Sequence, residues 1–243
     1  MSRSTPGDTS ATPLREAWRS VIGGSADWPQ TLPVAFSARP ARRVARALLG
    51  QFLVSRVHGS ITVVRIVETE AYVGRHDPAC HGAQAAGRTR RNASMFGPPG
   101  RAYVYFIYGM HWCLNVVTGE AGHPEAVLVR AGEPLAGIDT MVRRRERDRD
   151  LTSGPARLCQ ALGVDGTLDG HALDEPPLQL VRGPSVPDAK VGVSGRIGIR
   201  EARDWPLRFF LQDHPCLSSG PHLPADPEVD LTVPEPPHPQ QEP

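Results

Sequence analysis

The chain has 243 residues, 40% of them hydrophobic, and a formal net charge of +1, enough apolar material to bury a sizeable core in one large domain. No run approaches the roughly 18 apolar residues of a membrane span, and the N-terminus lacks a continuous apolar signal core, so membrane and secreted classes are not expected. Cys80, Cys113, Cys159 and Cys216 are scattered with no C-x-x-C pair, which argues against a disulfide framework and a zinc ribbon and suits a reducing, cytoplasmic setting (nucleoid-associated if bacterial).

The charge is unevenly spread. Residues 1–34 balance three arginines against three acids, and the segment from Pro221 carries five acids with no base, which leaves +6 on residues 35–220. A basic body with an acidic tail suits a polyanion binder. Of the 27 basic residues, Lys190 is the single lysine, so guanidinium contacts are abundant and amine nucleophiles are scarce.

In chain order, residues 1–34 read as a mobile leader with a short helix near Leu14–Ile22. Ala41–Leu49 has Val44, Leu48 and Leu49 on one helical face, with Gly50 as a stop. Phe52–Val57 and Ile61–Val73 are β-rich runs around His58-Gly59-Ser60. Residues 75–101 form a long loop, and loops of that length are usually functional. Ala102–Tyr108 and His111–Thr118 make a second hairpin around Gly109-Met110. Ala126–Ala131 adds a strand, Ile138–Arg147 and Pro155–Leu162 add helices, and Val191–Ile199 and Leu207–Leu211 add strands. Eight prolines after Gly220 prevent regular structure in residues 221–243, a Pro-rich acidic disordered tail. The expected fold is a single mixed α+β domain over residues 35–220, with a curved antiparallel sheet and a protruding β-hairpin, flanked by helices.

Several signatures fail. Gly192-Val193-Ser194-Gly195 has the wrong glycine spacing for a nucleophile elbow or a dinucleotide loop. His123-Pro124-Glu125 matches half of a zinc-deaminase motif whose thiolate half is missing. His76, Cys80 and His81 lack a fourth metal ligand at sensible spacing, and a surface loop is the better reading.

Two strands carry unusual polar groups. In Ile66-Val67-Glu68-Thr69-Glu70-Ala71-Tyr72, period two puts Glu68, Glu70 and Tyr72 on one face, although carboxylates are poor strand residues. In the second hairpin, Tyr103 and Tyr105 share a face, while Tyr108 and Met110 sit at a turn tip that would normally be polar. A projecting aromatic there suits insertion between bases.

These runs, with the loop ending in His81, Met95-Phe96-Gly97-Pro98-Pro99-Gly100, Leu114-Asn115-Val116, Val129-Arg130-Ala131-Gly132-Glu133-Pro134, Gly154-Pro155-Ala156-Arg157-Leu158-Cys159-Gln160-Ala161-Leu162 and Arg196-Ile197-Gly198-Ile199, resemble the alkyladenine (3-methyladenine) DNA glycosylase family. The resemblance covers roughly residues 40–212 in order and leaves out both tails. It implies an enzyme that flips an alkylated or deaminated purine out of duplex DNA and hydrolyses its glycosidic bond, as a monomer and without cofactor or metal. By the same resemblance Glu70 is the general base, and Arg130 holds the attacking water and the flipped phosphate. Tyr72, His81 and Tyr105 wall the extruded base, Asn115 clashes with the 2-amino group of guanine, and backbone of Ile199 touches the water. Tyr108 intercalates and Met110 contacts the minor groove. Glu68 stays open between a structural and a catalytic role. The Arg143–Arg149 run is either a phosphate-contacting face or a solvated helix end. The scarcity of lysine agrees with a monofunctional enzyme, because strand-nicking glycosylases use an amine. Competing readings are a non-catalytic minor-groove or structure-specific nucleic-acid binder on the same scaffold, and a metal hydrolase using His76, Cys80 and His81.

Overall fold

The computed structural model describes residues 11–84 and 87–220. Its frame is an open eight-stranded antiparallel sheet built from β1 (Phe52–Ser55), β2 (Thr62–Tyr72), β3 (Ala102–Ile107), β4 (His111–Thr118), β5 (Glu125–Ala136), β6 (Leu178–Val181), β7 (Val191–Ser194) and β8 (Arg208–Leu211). The main path runs β3-β4-β5-β2-β1-β6. Strand β2 is the axis. One edge pairs with β5 along its length; the other pairs with β1 over Thr62–Arg65 and with β8 over Glu68–Glu70. Where β2 passes from one partner to the other, the β2–β5 register slips at Ile66/Glu68 and again at Glu68/Thr69, the start of the β8-paired stretch. Such bulges bend a strand and re-aim its side chains, and they fall where β2 carries its acids.

The helices are α1 (Ala11–Ile22), α2 (Val34–Ser37), α3 (Ala41–Leu48), α4 (His81–Gln84), α5 (Ile138–Arg145) and α6 (Pro155–Leu162). Ala41, Val44, Ala45 and Leu48 follow helical spacing and are buried, so α3 presents a full apolar stripe. The Thr69 hydroxyl, on the β2 face opposite the acids, donates to the Ala45 carbonyl at 2.8 Å and ties α3 to β2. Helix α6 starts at Pro155 and ends at Gly163, whose φ of 72° only glycine adopts without strain. Leu53 and Val64 join α3 and α6 in the main core, while Phe52, Val54 and Val63 pack under α1 with Trp18. Both faces of the sheet centre are therefore covered, and β1 is buried at every position.

Three differences from the sequence expectation have physical causes. The leader assigned to residues 1–34 contains α1, and Trp18 is only 2% exposed, with edge-on contacts to Trp28 at 5.5 Å and Phe52 at 5.2 Å; Leu14 and Val21, one turn to either side of it, pack against the same cluster. Strand β6 had no expectation, since its four buried residues carry no alternation. The loop over residues 75–101 contains α4 and a 3₁₀ turn at Ala93–Phe96, which carry the buried Ala83, Met95 and Phe96 of a third cluster with Tyr103. The acidic tail assigned to residues 221–243 lies outside the described residues.

Candidate active site

Register decides what meets. Tyr103 pairs with Asn115, Asn115 with Leu128, and Leu128 with Glu70, so these four lie in one row across β3, β4, β5 and β2. Directly opposite residues share a face. Two-residue steps along each strand add Tyr72, Tyr105, Cys113 and Arg130 to that same face. The sheet thus collects side chains separated by up to 60 positions in sequence into one polar patch.

Glu70 stands at its centre and is 0% exposed. Its surroundings are polar. Oε1 accepts the backbone N–H of Ile197 at 2.7 Å and lies 3.2 Å from Nη1 of Arg130, and Oε2 accepts the Tyr72 hydroxyl at 3.1 Å. Glu68, equally buried, faces Arg130 Nε at 3.1 Å and Arg208 Nε at 2.7 Å and accepts the backbone N–H and hydroxyl of Ser218, each at 2.7 Å. Two carboxylates are thereby matched by two guanidiniums. Burial opposes the charge on Arg130, but Glu70 and then Glu68 outweigh it and raise its pKa, so the cation persists. Tyr72 is pushed well above the ordinary phenol value by burial and then by the neighbouring Glu70 charge. Tyr105 moves the same way through burial, and burial takes Tyr103 up to about 12. Burial thus works against ionisation of all three phenols.

A second buried pair supports this patch from behind. Arg196 reaches Asp77 with Nη2 at 2.7 Å and also with Nη1, which bonds the Ala71 carbonyl at 3.1 Å as well. Its guanidinium lies 4.7 Å from the Tyr72 ring centroid, close enough for a cation–π contact. Asn115 donates to the Tyr103 carbonyl at 3.0 Å, and the Tyr103 and Tyr105 rings are 5.3 Å apart. His81 is exposed at the start of α4. A side chain on its neighbour Gly82 would meet Met95 sulfur at 2.9 Å and the Tyr103 hydroxyl at 3.5 Å, so α4 is seated on the tyrosine cluster. The backbone donor to Glu70 is Ile197. Ile199, expected to touch the water, lies two residues further on and is half-buried.

The hairpin tip is built differently. Tyr108 and Gly109 both have positive φ, 54° and 68°, and the Met110 N–H bonds the Ile107 carbonyl at 3.2 Å. That is a type I′ turn centred on Tyr108 and Gly109, with Met110 as a third residue before the strands pair at Ile107 and His111, and its first central position favours Asn, Asp or Gly. Tyr108 is 80% exposed and Met110 67%. Below them the cross-strand pair Phe106–Trp112, with ring centroids 4.7 Å apart, stiffens the stem. An exposed tyrosine held in a left-handed conformation points to function.

Among the described residues, no group of three or more His, Cys, Asp or Glu is placed to hold a metal ion, and no helix is long and apolar enough to cross a membrane. Arg144 is committed to internal contacts, Nη2 to the Val57 carbonyl at 2.8 Å and Nη1 to that of Ala161 at 3.2 Å. Arg143–Arg145 occupy the last turn of α5, where cations complement the helix dipole. Sequence reasoning missed Ile197 as a donor to Glu70, and with it Arg196, Asp77, Arg208 and Ser218. Only Cys113 left a usable trace, its parity with Asn115 across from Tyr105.

A match to the methylpurine-DNA glycosylase family spans residues 35–215 and takes in every element of this site up to β8. The chain belongs to that family. Its relatives include proteins of Carboxydothermus hydrogenoformans (47% identical over 190 residues, 77% of this chain and 98% of that one), Methanoculleus marisnigri (50% over 188 residues, 75% and 95%) and Frankia casuarinae (46% over 207 residues, 80% and 94%). Each of these is named "Putative 3-methyladenine DNA glycosylase". A methylpurine-DNA glycosylase acts on DNA.

Proposed function

We propose that the protein flips an alkylated or deaminated purine out of duplex DNA and hydrolyses its N-glycosidic bond with water, leaving an abasic site. The observation that carries this reading is the set of three donors converging on Glu70. A carboxylate has about four lone-pair sites. With the Ile197 N–H, Arg130 and the Tyr72 hydroxyl in place, one remains for a water.

Cleavage builds positive charge on the deoxyribose while water attacks. Glu70 takes the water's proton and its charge stabilises the sugar cation, help worth about 10²–10⁴-fold. Arg130, held charged beside it, orients the water and receives the phosphate of the flipped nucleotide. Tyr72, Tyr105 and His81 sandwich the base, and aromatic faces suit a cationic alkylated purine. Asn115, fixed by its bond to Tyr103, reads the purine edge and rejects a guanine 2-amino group. Tyr108 fills the gap left in the duplex, with Met110 in the minor groove, and stacking there offsets part of the few kcal/mol that extrusion costs.

The test is release of free base from duplexes carrying 3-methyladenine, 7-methylguanine, hypoxanthine or ethenoadenine. The expected result is release from at least one, with the strand left intact until alkali is added. No release from any of them, or nicking without alkali, contradicts the proposal.

A further inference from the structure

Arg130 is gripped on three sides. Nη1 faces Glu70 at 3.2 Å, Nε faces Glu68 at 3.1 Å, and Nη2 and Nε reach the Ser218 hydroxyl at 3.2 and 3.3 Å. Ser218 is 4% exposed and lies beyond β8, the last strand. Its hydroxyl donates to Glu68 Oε1 at 2.7 Å, and its backbone N–H takes Glu68 Oε2 at 2.7 Å. Glu68 Oε1 is further occupied by Arg208 Nε at 2.7 Å, and Arg208 Nη1 is steadied by the Ser194 hydroxyl at 2.9 Å.

Left to themselves, a guanidinium and a carboxylate prefer a forked pair with two parallel bonds. A forked pair of Arg130 with Glu68 through Nε and Nη2 would swing the guanidinium plane and shift Nη1 relative to Glu70. Ser218 blocks it twice: its N–H holds Glu68 Oε2, and its hydroxyl supplies the partner that Nη2 would otherwise seek on that oxygen. Burying four charges brings little net stability, so the value of the arrangement is orientation.

We propose that Ser218 is a positioning residue, whose hydroxyl between Glu68 and Arg130 turns the guanidinium toward Glu70 and makes the segment after the last strand a working part of the site. The proposal rests on the reading of Glu70 and Arg130 as the reacting machinery. Glu68 is the fixed post against which Ser218 sets the angle.

The experiment uses the full-length chain, a hypoxanthine or 3-methyladenine duplex, and single-turnover excision at saturating enzyme, with wild type, Ser218→Ala, Ser218→Thr and Glu70→Gln side by side. Removing one charge-assisted contact should slow Ser218→Ala by about tenfold or more. Its reacting fraction and its affinity for lesion DNA should stay those of wild type, with at most a modest drop in melting temperature from the lost buried contacts, and Ser218→Thr, which keeps the hydroxyl, should recover most of the rate. A Ser218→Ala rate within about twofold of wild type, a loss that appears only in the reacting fraction or the melting temperature, or a threonine variant as slow as alanine overturns the inference. The parallel control separates the two readings. If Glu70→Gln excises normally, the assignment of the site fails. If Glu70→Gln is inactive while Ser218→Ala is normal, only the role of Ser218 fails.

Discussion

Tyr72 joins two parts of the site. Its hydroxyl reaches Glu70 while its ring lies against Arg196, so one side chain both bonds the acid and packs on the supporting guanidinium. Tyr72→Phe separates the roles, because the ring survives and the donor is lost. Losing one hydrogen bond to a charged group should lower the excision rate by about tenfold and leave lesion affinity within about twofold. Because the Tyr72 pKa lies well above the ordinary phenol value of 10.0, the hydroxyl stays a donor, and the ratio of wild-type to variant rate should be flat between about pH 6 and pH 9. Rate profiles of the two proteins across that range check it. Residues of this kind were legible as types and as a face: Glu68, Glu70 and Tyr72 follow period two, and the alternation survives the bulges. Ile197, Arg196 and Ser218 were not legible, since each reaches the patch from more than 120 positions along the chain and no local pattern marks the approach.

Among the elements, the β3–β4 hairpin sets stability against use. Its type I′ turn requires positive φ at Tyr108 and Gly109, and only the glycine suits the geometry. Tyr108→Asn supplies the residue that the turn prefers, and it should hold or raise stability by about 0.5–1 kcal/mol. It removes the exposed ring, so affinity for lesion duplex should fall by about tenfold, in line with the loss of one aromatic stacking contact. Denaturant melts and fluorescence anisotropy on one preparation test both halves, and a variant that loses stability or keeps its affinity contradicts the account. The sequence located this hairpin and its odd tip, because Tyr and Met in a turn are conspicuous. It did not locate β6, whose Leu178–Val181 has no alternation. Nor did it recognise that α1 packs, since Leu14, Trp18 and Val21 follow helical spacing but the surface that buries them, Phe52, Val54 and Val63, comes from strands distant in sequence.

For the whole molecule, the notable feature is how much ionisable chemistry is held neutral indoors. Burial raises the Cys80 thiol from 9.0 to about 12 and Tyr103 from 10.0 to about 12, and it lifts Cys113 above 9.0. Below pH 9 these groups are protonated both folded and unfolded, and their contribution is fully present. Between pH 9 and 12 the unfolded chain releases protons that the folded chain retains, so stability falls as pH rises through that window. The slope approaches about 1.4 kcal/mol per pH unit for each fully engaged group. Denaturant midpoints from pH 8 upward should decline steadily from about pH 9, and a midpoint level to pH 11 would contradict the burial of these side chains. At this scale the class of fold was readable from hairpins and helix stops. The split pairing of β2 between β1 and β8 was not. It depends on the register of strands distant in sequence.

The proposed reaction depends on Glu70 as the group that readies water. The most direct measurement is single-turnover base release by Glu70→Gln on a lesion duplex, with binding followed in the same titration. Glutamine keeps the shape and can still meet Tyr72 and Ile197, but it cannot take a proton. The expected result is lesion binding within a few-fold of wild type and release slowed by about 10²–10⁴-fold. Release at the wild-type rate from a bound, folded variant would contradict the central claim.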